Sequence, residues 1–345
     1  MNSIHFTQFK GSLPVVDIPM PVASEAGVVI KVEATGVCRS DWHGWMGHDD
    51  GIVLPHVPGH ELAGVISLVG GLVSKFKVGD RVTVPFVCGC GQCEFCLRGD
   101  AQVCPVQTQP GFTGFGSFAE YVAIDNADFN LVLIPESVSF STAAALGCRF
   151  ATAYRGLVKR ALVKSGEMVV VYGCGGVGLS AVMIARALGA VVYAVDVNEE
   201  ALSMAVGLGA IGIHSREVDP VTYMQSLGGA HVAVDALGSE VTAGASVMSL
   251  RRRGRHLQLG LLLTEDGLSA IPMARVIAWE LDLLGSHGMA AVDYPEMLAL
   301  VASGALDPSV LVTREVGLEE GAAVLASFDT AAASRKGITI IKPGI

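Results

Sequence analysis

The pattern of apolar and polar positions changes once along the chain, near Ser141. Before it, apolar and polar residues alternate over short runs: Val28-Val29-Ile30-Lys31-Val32-Glu33, then Leu62–Val69, Arg81–Val84 and Ser117–Ile124. Pro14, Pro19 and Pro21 and several Gly-Asp and Pro-Gly turns break these runs. Side chains alternate across a strand, so a period of two marks half-buried strands. Residues 1–150 therefore predict a mostly β domain carrying loops.

Beyond Ser141 the period lengthens. Ala143–Leu146 and Ala151–Val163 are alanine-rich with helical spacing, and Met168–Tyr172 is a continuous apolar run that predicts a buried strand. Strand and helix then alternate. Helices are predicted over Val177–Leu188, Glu199–Val206 and near Val241–Leu250. Strands are predicted at Val191–Val195, Gly212–His214, Val232–Asp235, His256–Leu259 and Leu281–Gly285. That alternation predicts a doubly wound parallel sheet over residues 151–287. Tyr294–Ala302 and Leu318–Phe328 read as helices, and Gly337–Ile341 as a last strand. Val177–Ala194 is apolar enough to raise a membrane helix, but Arg186, Gly178 and Gly189 parse it as turn, helix and strand.

The turn after Met168–Tyr172 carries Gly173-Cys174-Gly175-Gly176-Val177-Gly178, which is G-x-G-x-x-G between a strand and a helix. The first glycine suits a tight turn. The second lets the backbone approach a pyrophosphate at a helix N-terminus, and the third lets helix and strand pack closely. The next strand ends at Asp196, about 20 residues on. An acid there binds both ribose hydroxyls of NAD and repels the 2′-phosphate of NADP, so NAD is the expected cofactor.

Composition narrows the classes. The chain has 345 residues, is 51% hydrophobic with 42 glycines, and carries a net charge of −10. That charge argues against a nucleic-acid partner or an anionic membrane surface. The basic cluster Arg251–Arg253 with Arg255 reads as a solvated helix end. Met1–Lys10 does not resemble a signal peptide, so a cytoplasmic protein is expected. In that compartment its eight cysteines read as metal ligands before disulfides. Cys90-x2-Cys93-x2-Cys96-x7-Cys104 has the spacing of a closed tetrahedral zinc site with a structural role. An iron–sulfur centre would accept this spacing too, but zinc fits better beside a nicotinamide site. Cys88 is a fifth thiol, close enough in sequence to compete with Cys90.

Cys38-Arg39-Ser40-Asp41-Trp42-His43 packs a thiol, a cation, a hydroxyl, a carboxylate and an imidazole into six positions. Alone it reads most simply as a polar loop between strands. Pro58-Gly59-His60-Glu61 adds a second imidazole and carboxylate, and Cys148 a further isolated thiol.

Together these stretches resemble the zinc-dependent alcohol dehydrogenases of the medium-chain dehydrogenase/reductase superfamily, of the bacterial tetrameric type. The resemblance rests on Cys38-Arg-Ser-Asp-x-His43, Gly59-His60-Glu61, Val78-Gly79-Asp80-Arg81-Val82, the four-cysteine lobe, Leu146-Gly147-Cys148 and Gly173–Gly178, in order over nearly the whole chain. It implies a GroES-like β-barrel catalytic domain (residues 1–150 and 288–345, with the zinc lobe at 88–104) and a Rossmann domain inserted at 151–287. It implies two zinc ions per subunit, NAD, an alcohol or aldehyde substrate and a homotetramer. Cys38, His60 and Cys148 would bind the catalytic zinc, and Cys90, Cys93, Cys96 and Cys104 the structural one. Glu61 would be a transient ligand, and Asp41 would orient His60. Ser40 would bond the substrate hydroxyl, and His43 would end a proton relay through the nicotinamide ribose. Arg39 and Arg335 would contact the pyrophosphate, Thr152 and Leu261 would border the nicotinamide, and Phe86 and Trp42 would line the substrate pocket. The implied reaction is hydride transfer from a zinc-bound alkoxide to NAD⁺.

Some features depart from the pattern. Ser286-His287-Gly288-Met289-Ala290 is not the usual bacterial Gly-Thr-Arg-x-Asp, and Trp42, Trp45, Met46 and His48 form a bulky set. The stretch between Cys104 and Ser117 lacks the longer insertion of dimeric animal and plant relatives. Competing expectations are an NADPH-linked aldehyde reductase, against which Asp196 speaks, and a polyol dehydrogenase, against which Cys148 speaks. A catalytically silent zinc-stabilised binding protein is a further alternative, from a different class.

Overall fold

The computed structural model describes residues 1–263, 268–328 and 337–345. The chain divides into two compact units. The first takes in Met1–Ala151, 288–328 and Ile338–Ile345, and the second Thr152–His287.

The first unit is organised around the strand Val28–Gly36. Its valines and isoleucines suit a pleated surface packed on both sides, and all but Lys31 and Glu33 are buried. It pairs antiparallel with Glu61–Val69, with Tyr121–Ile124 and, at its end, with Ile338–Ile341. Arg81–Thr83 and Val132–Leu133 extend this sheet on one side, and Val312–Val316, parallel to Ile338–Ile341, on the other. Val28, Ile30, Val32, Leu62, Ile66, Val82, Val122 and Ile124 form its core. The C-terminal strand therefore completes the sheet that the N-terminal residues begin.

Two helical insertions in this unit concern the site. Cys38–His43, expected as a polar loop, opens the helix Arg39–Trp45 instead. The Asp41 carboxylate accepts from the Cys38 backbone N–H and so satisfies an orphan donor of the first turn. Ser139 caps Phe140–Ala145, accepting from the Thr142 N–H. The chain then widens into a π-helical turn over Leu146–Phe150 before resuming as α-helix at Ala151–Arg155. Such turns displace one residue from the regular helical face, and this one carries Cys148.

The second unit holds six parallel strands in the order Ile211–His214, Val191–Asp196, Met168–Tyr172, Ala230–Asp235, Leu250–Gln258, Asp282–Gly285. The strand order reverses between Met168–Tyr172 and Ala230–Asp235, which is where such sheets open to a ligand. Gly176–Ala187, Glu199–Gly207, Pro220–Ser226, Glu240–Met248 and Met273–Trp279 are its helices. Pro220–Ser226 and Met273–Trp279 carry no predicted counterpart. The basic cluster expected at a helix end lies instead in the strand Leu250–Gln258. Arg251–Arg253 form a bulge there, between Leu250, paired with Ala230, and Arg255, paired with Val232. Arg251 bonds His231, Arg253 pairs with Glu280, and Arg255 pairs with Glu167. Among the described residues, no helix is long and apolar enough to cross a membrane.

Candidate functional site

The first unit brings four donors together. One ligand atom each from Cys38, His60, Glu61 and Cys148 lies within 4.8 Å of the others. They come from separate elements: the residue before Arg39–Trp45, the edge of Glu61–Val69, and the π-helical turn. His60 and Glu61 are fully buried, and Cys38 nearly so.

Asp41 binds the pieces. Its Oδ1 lies 2.8 Å from His60 Nδ1 and accepts from the Gly59 N–H at 3.0 Å, while Oδ2 accepts from the Cys38 N–H at 2.9 Å. The proton of the imidazole therefore sits on Nδ1. That leaves a lone pair on Nε2, a buried atom with no hydrogen-bond partner among the described residues. An orphaned imidazole nitrogen beside two thiols is costly unless a metal occupies the space between them. A soft–borderline set of two sulfurs and one nitrogen suits zinc.

Burial and neighbouring charges pull the four donors in different directions. The Cys148 thiol beside Cys38 holds it well below the usual thiol range, against burial and with help from Arg149 and His60. Cys148 is raised in turn by its bond to Cys38 and by burial. Burial would lower the His60 pKa, but the Asp41 carboxylate outweighs it and the net direction is upwards. Burial raises the Glu61 carboxyl, and Arg149 opposes that rise. Arg149 donates from Nε to Glu61 Oε1 at 3.1 Å and from Nη2 to Oε2. It is buried at 7% exposure, and nothing in its sequence context marked it.

The other expected residues of this unit lie as follows. Ser40 Oγ is 3.8 Å from Cys38 Sγ. His43 is half-buried, and its Nδ1 lies 2.9 Å from His48 Nδ1. Arg39 is exposed, stacks over Trp42 at 5.0 Å and donates to the Phe328 carbonyl at 3.2 Å. Trp42 packs in a core cluster with Ile4, Val37, Phe118 and Leu325. Phe86 faces His60 edge-on at 5.9 Å. Phe112, which sequence reasoning did not single out, lies nearer, at 5.2 Å from the same ring. Arg335 falls outside the described residues.

Cys90, Cys93, Cys96 and Cys104 form a second cluster, also with sulfurs within 4.8 Å of one another. The backbone N–H groups of Gln92 and Cys93 bring Cys90 down to about 6, while burial pushes Cys96 up to about 12. Four thiols converging in a loop of few apolar residues fit a closed zinc site. Cys88 lies outside the cluster. Its thiol donates to the Pro85 carbonyl at 3.6 Å, and burial pushes it up to about 12, as for an inert core thiol.

In the second unit the glycine turn is built for close approach. Gly173 has φ +90°, a conformation that side chains resist. A Cβ on Gly178 would stand 1.8 Å from the Gly173 carbonyl oxygen, whereas one on Gly175 would meet nothing within 4 Å. The second glycine thus presents bare backbone to open space at the N-terminus of Gly176–Ala187, whose first two residues are Gly176 and Val177. Asp196 ends the adjacent strand, accepting from the Cys174 N–H at 2.7 Å and the Asn198 N–H at 2.9 Å. This cradle fits a dinucleotide pyrophosphate and ribose. Cys174 is buried, with its thiol pushed up by burial. Thr152 is buried and its carbonyl accepts from the Ser286 hydroxyl at 3.0 Å, while Leu261 and His287 are exposed.

A fold of this kind with a two-thiol, one-imidazole centre and a dinucleotide cradle defines a class of metal-assisted, nicotinamide-linked dehydrogenases. Family models agree: residues 24–136 match the alcohol dehydrogenase GroES-like domain, and residues 176–303 match the zinc-binding dehydrogenase domain. An alcohol dehydrogenase of Geobacillus stearothermophilus is 36% identical over 310 residues, covering 88% of this chain and 90% of its own length. An NAD-dependent alcohol dehydrogenase of Sulfurisphaera tokodaii is 32% identical, covering 93% and 94%. The solved structure of an alcohol dehydrogenase from Thermus sp. ATN1 superposes with a TM-score of 0.90 at 28% identity, covering 99% of both chains. The chain belongs to the zinc-type alcohol dehydrogenases of the medium-chain dehydrogenase/reductase superfamily, with that family's GroES-like and Rossmann folds.

Proposed function

We propose that the protein is an NAD-dependent, zinc-dependent alcohol dehydrogenase that interconverts alcohols with aldehydes or ketones. The observation that carries this reading is the unpartnered Nε2 of His60 among the sulfurs of Cys38 and Cys148. We assign the metal-bearing domain to residues 1–150 and 288–345 and the dinucleotide domain to 151–287.

Cys38, His60 and Cys148 would hold the catalytic zinc, and Cys90, Cys93, Cys96 and Cys104 a structural one, two ions per subunit. Zinc, when bound, supplies Lewis acidity of the kind that brings the pKa of water down to about 7 and favours ionisation of an alcohol likewise. NAD⁺ supplies the hydride acceptor.

The chain's own residues do the rest. Ser40 accepts the hydroxyl proton of the substrate as it releases its own, and His43 passes that proton outwards. Asp41 fixes the ring and tautomer of His60. Gly173, Gly175, Gly176, Val177 and Gly178 cradle the pyrophosphate, with Arg39 as a cation beside it. Asp196 takes the adenosine ribose and excludes a 2′-phosphate. Thr152 and Leu261 border the nicotinamide, and Phe86 walls the substrate side of His60. Eight free cysteines support a reducing, cytoplasmic setting, and the short Cys104–Ser117 stretch supports a homotetramer.

The test is NADH formation from a panel of primary, secondary, aromatic and polyol substrates, with NAD⁺ and NADP⁺ compared. Turnover with NAD⁺ on at least one class is expected. No turnover in either direction, with both metals bound, would favour a silent binding protein.

A further inference from the structure

Glu61 is one of the four potential donors of the buried cluster, yet its carboxylate is already surrounded. Oε1 accepts from the Cys148 N–H at 3.2 Å, the Arg149 N–H at 3.1 Å and Arg149 Nε at 3.1 Å. Oε2 pairs with Arg149 Nη2. The guanidinium thus grips both oxygens in a fork, the strongest and most directional arrangement open to a carboxylate. Two bare backbones shape the slot. A Cβ on Gly36 would come within 2.4 Å of Glu61 Oε2 and 3.0 Å of Arg149 Nη2, and one on Gly147 within 2.9 Å of Glu61 Cα. At these two positions no side chain crowds the pair.

We propose that Arg149 is a positioning residue that ties Glu61 down, so that the metal centre presents three donors, Cys38, His60 and Cys148, and keeps its fourth place for the substrate oxygen. Arg149 and the metal compete for the same carboxylate. Four donors aimed at its two oxygens take up the about four acceptor sites of a carboxylate, so a metal would have to displace one of them. To ligate, Glu61 would abandon a buried guanidinium, and an uncompensated buried charge is strongly disfavoured. The π-helical turn gives the arrangement its economy: it aims the Cys148 sulfur at the centre while the next residue reaches back to the competing donor. Arg149 touches neither substrate nor cofactor in this account. It sets how many protein ligands the metal has, and through that the room left for chemistry.

This inference rests on the metal reading of the centre, and Co²⁺ separates the two. The full chain is loaded with Co²⁺ in place of zinc, metal content is counted, and the visible d–d bands are recorded. The four-cysteine lobe contributes equally to every variant. Glu61→Gln is expected to leave the bands unchanged, because Glu61 is already off the metal. Arg149→Met is expected to weaken and shift them as Glu61 joins the centre and the coordination number rises. Arg149→Met combined with Glu61→Gln is expected to restore the original spectrum, and Arg149→Lys to hold it in part. A changed spectrum in Glu61→Gln, or an unchanged one in folded Arg149→Met, would overturn the proposal while leaving the metal reading intact. One cobalt per chain, confined to the four-cysteine lobe, would overturn the metal reading and this inference with it.

Discussion

His60 Nδ1 lies 2.8 Å from Asp41 Oδ1, and both side chains are shut off from solvent. The same carboxylate holds the N–H groups of Gly59 and Cys38, so one side chain sets the tautomer of one donor and the backbone of two. Asp41→Asn keeps the shape but loses the charge that fixes the tautomer. Zinc affinity of the catalytic centre, read by competition with a chromophoric chelator, is expected to fall about 10–100-fold. An unchanged affinity would remove Asp41 from this role.

Metal content divides the two cysteine sets. The wild type is expected to bind two zinc ions per chain, since two donor clusters occur among the described residues. Cys148→Ala is expected to bind one and to keep its thermal transition within a few degrees once the lobe is loaded. Cys104→Ala is expected to lose the other ion and a larger share of its stability, because the lobe around Cys96, Ala101 and Cys104 is a small core of its own. Elemental analysis with calorimetry on the purified variants decides this.

Asp196 is proposed to govern cofactor choice. It accepts two backbone N–H groups and presents charge at the end of its strand. In Asp196→Ser, one charged hydrogen bond to the ribose is expected to be lost while the hydroxyl keeps the other in neutral form, a cost of about 1.5–3 kcal/mol. The kcat/KM for NAD⁺ is expected to fall about ten- to a hundredfold while that for NADP⁺ rises. Steady-state kinetics with both cofactors checks it, and an unchanged ratio would contradict the assignment.

His256 makes stability depend on pH. It is buried, with Nδ1 2.9 Å from Ser246 Oγ and Nε2 3.1 Å from Gln258 Oε1. Burial lowers its pKa, against the pull of Gln258 and Asp235. The unfolded chain therefore binds a proton, at about pH 6.5, that the folded chain refuses until lower pH. This contribution is fully present above about pH 7 and is lost as pH falls below about 6.5. His256→Gln is expected to flatten the fall in unfolding free energy between about pH 7.5 and 5.5, measured with urea. An identical slope in the two proteins would contradict this.

The sheet of the second unit was legible because its parallel strands are unbroken apolar runs, such as Met168–Tyr172, separated by helices of clear period. Short elements were not. Pro220–Ser226 and Met273–Trp279 are seven residues each, too few for a periodic signal. Arg251–Arg253 defied the reading because the run falls at a bulge of its strand, between Leu250, which pairs with Ala230, and Arg255, which pairs with Val232 and Asp282. At the metal centre, residue types with distinctive spacing were readable as candidates: Cys38, His60, Cys148 and the four-cysteine run. Arg149 was not, because its meaning comes from a partner 88 positions away. Phe112 was missed for the same reason, as its proximity to His60 arises only on folding. Trp42, read as a pocket residue, is a buried member of a core cluster, with Arg39 over its ring and His43 and His48 edge-on to it.

The central claim is that this chain oxidises alcohols with NAD⁺ through its Cys38–His60–Cys148 metal centre. Its most direct test is alcohol-dependent NADH formation before and after removal of the accessible metal with a chelator, followed by zinc re-addition. Turnover that is lost with one zinc per chain and returns when the second is restored is the predicted result. Turnover that persists at full rate in the chelated protein would contradict it.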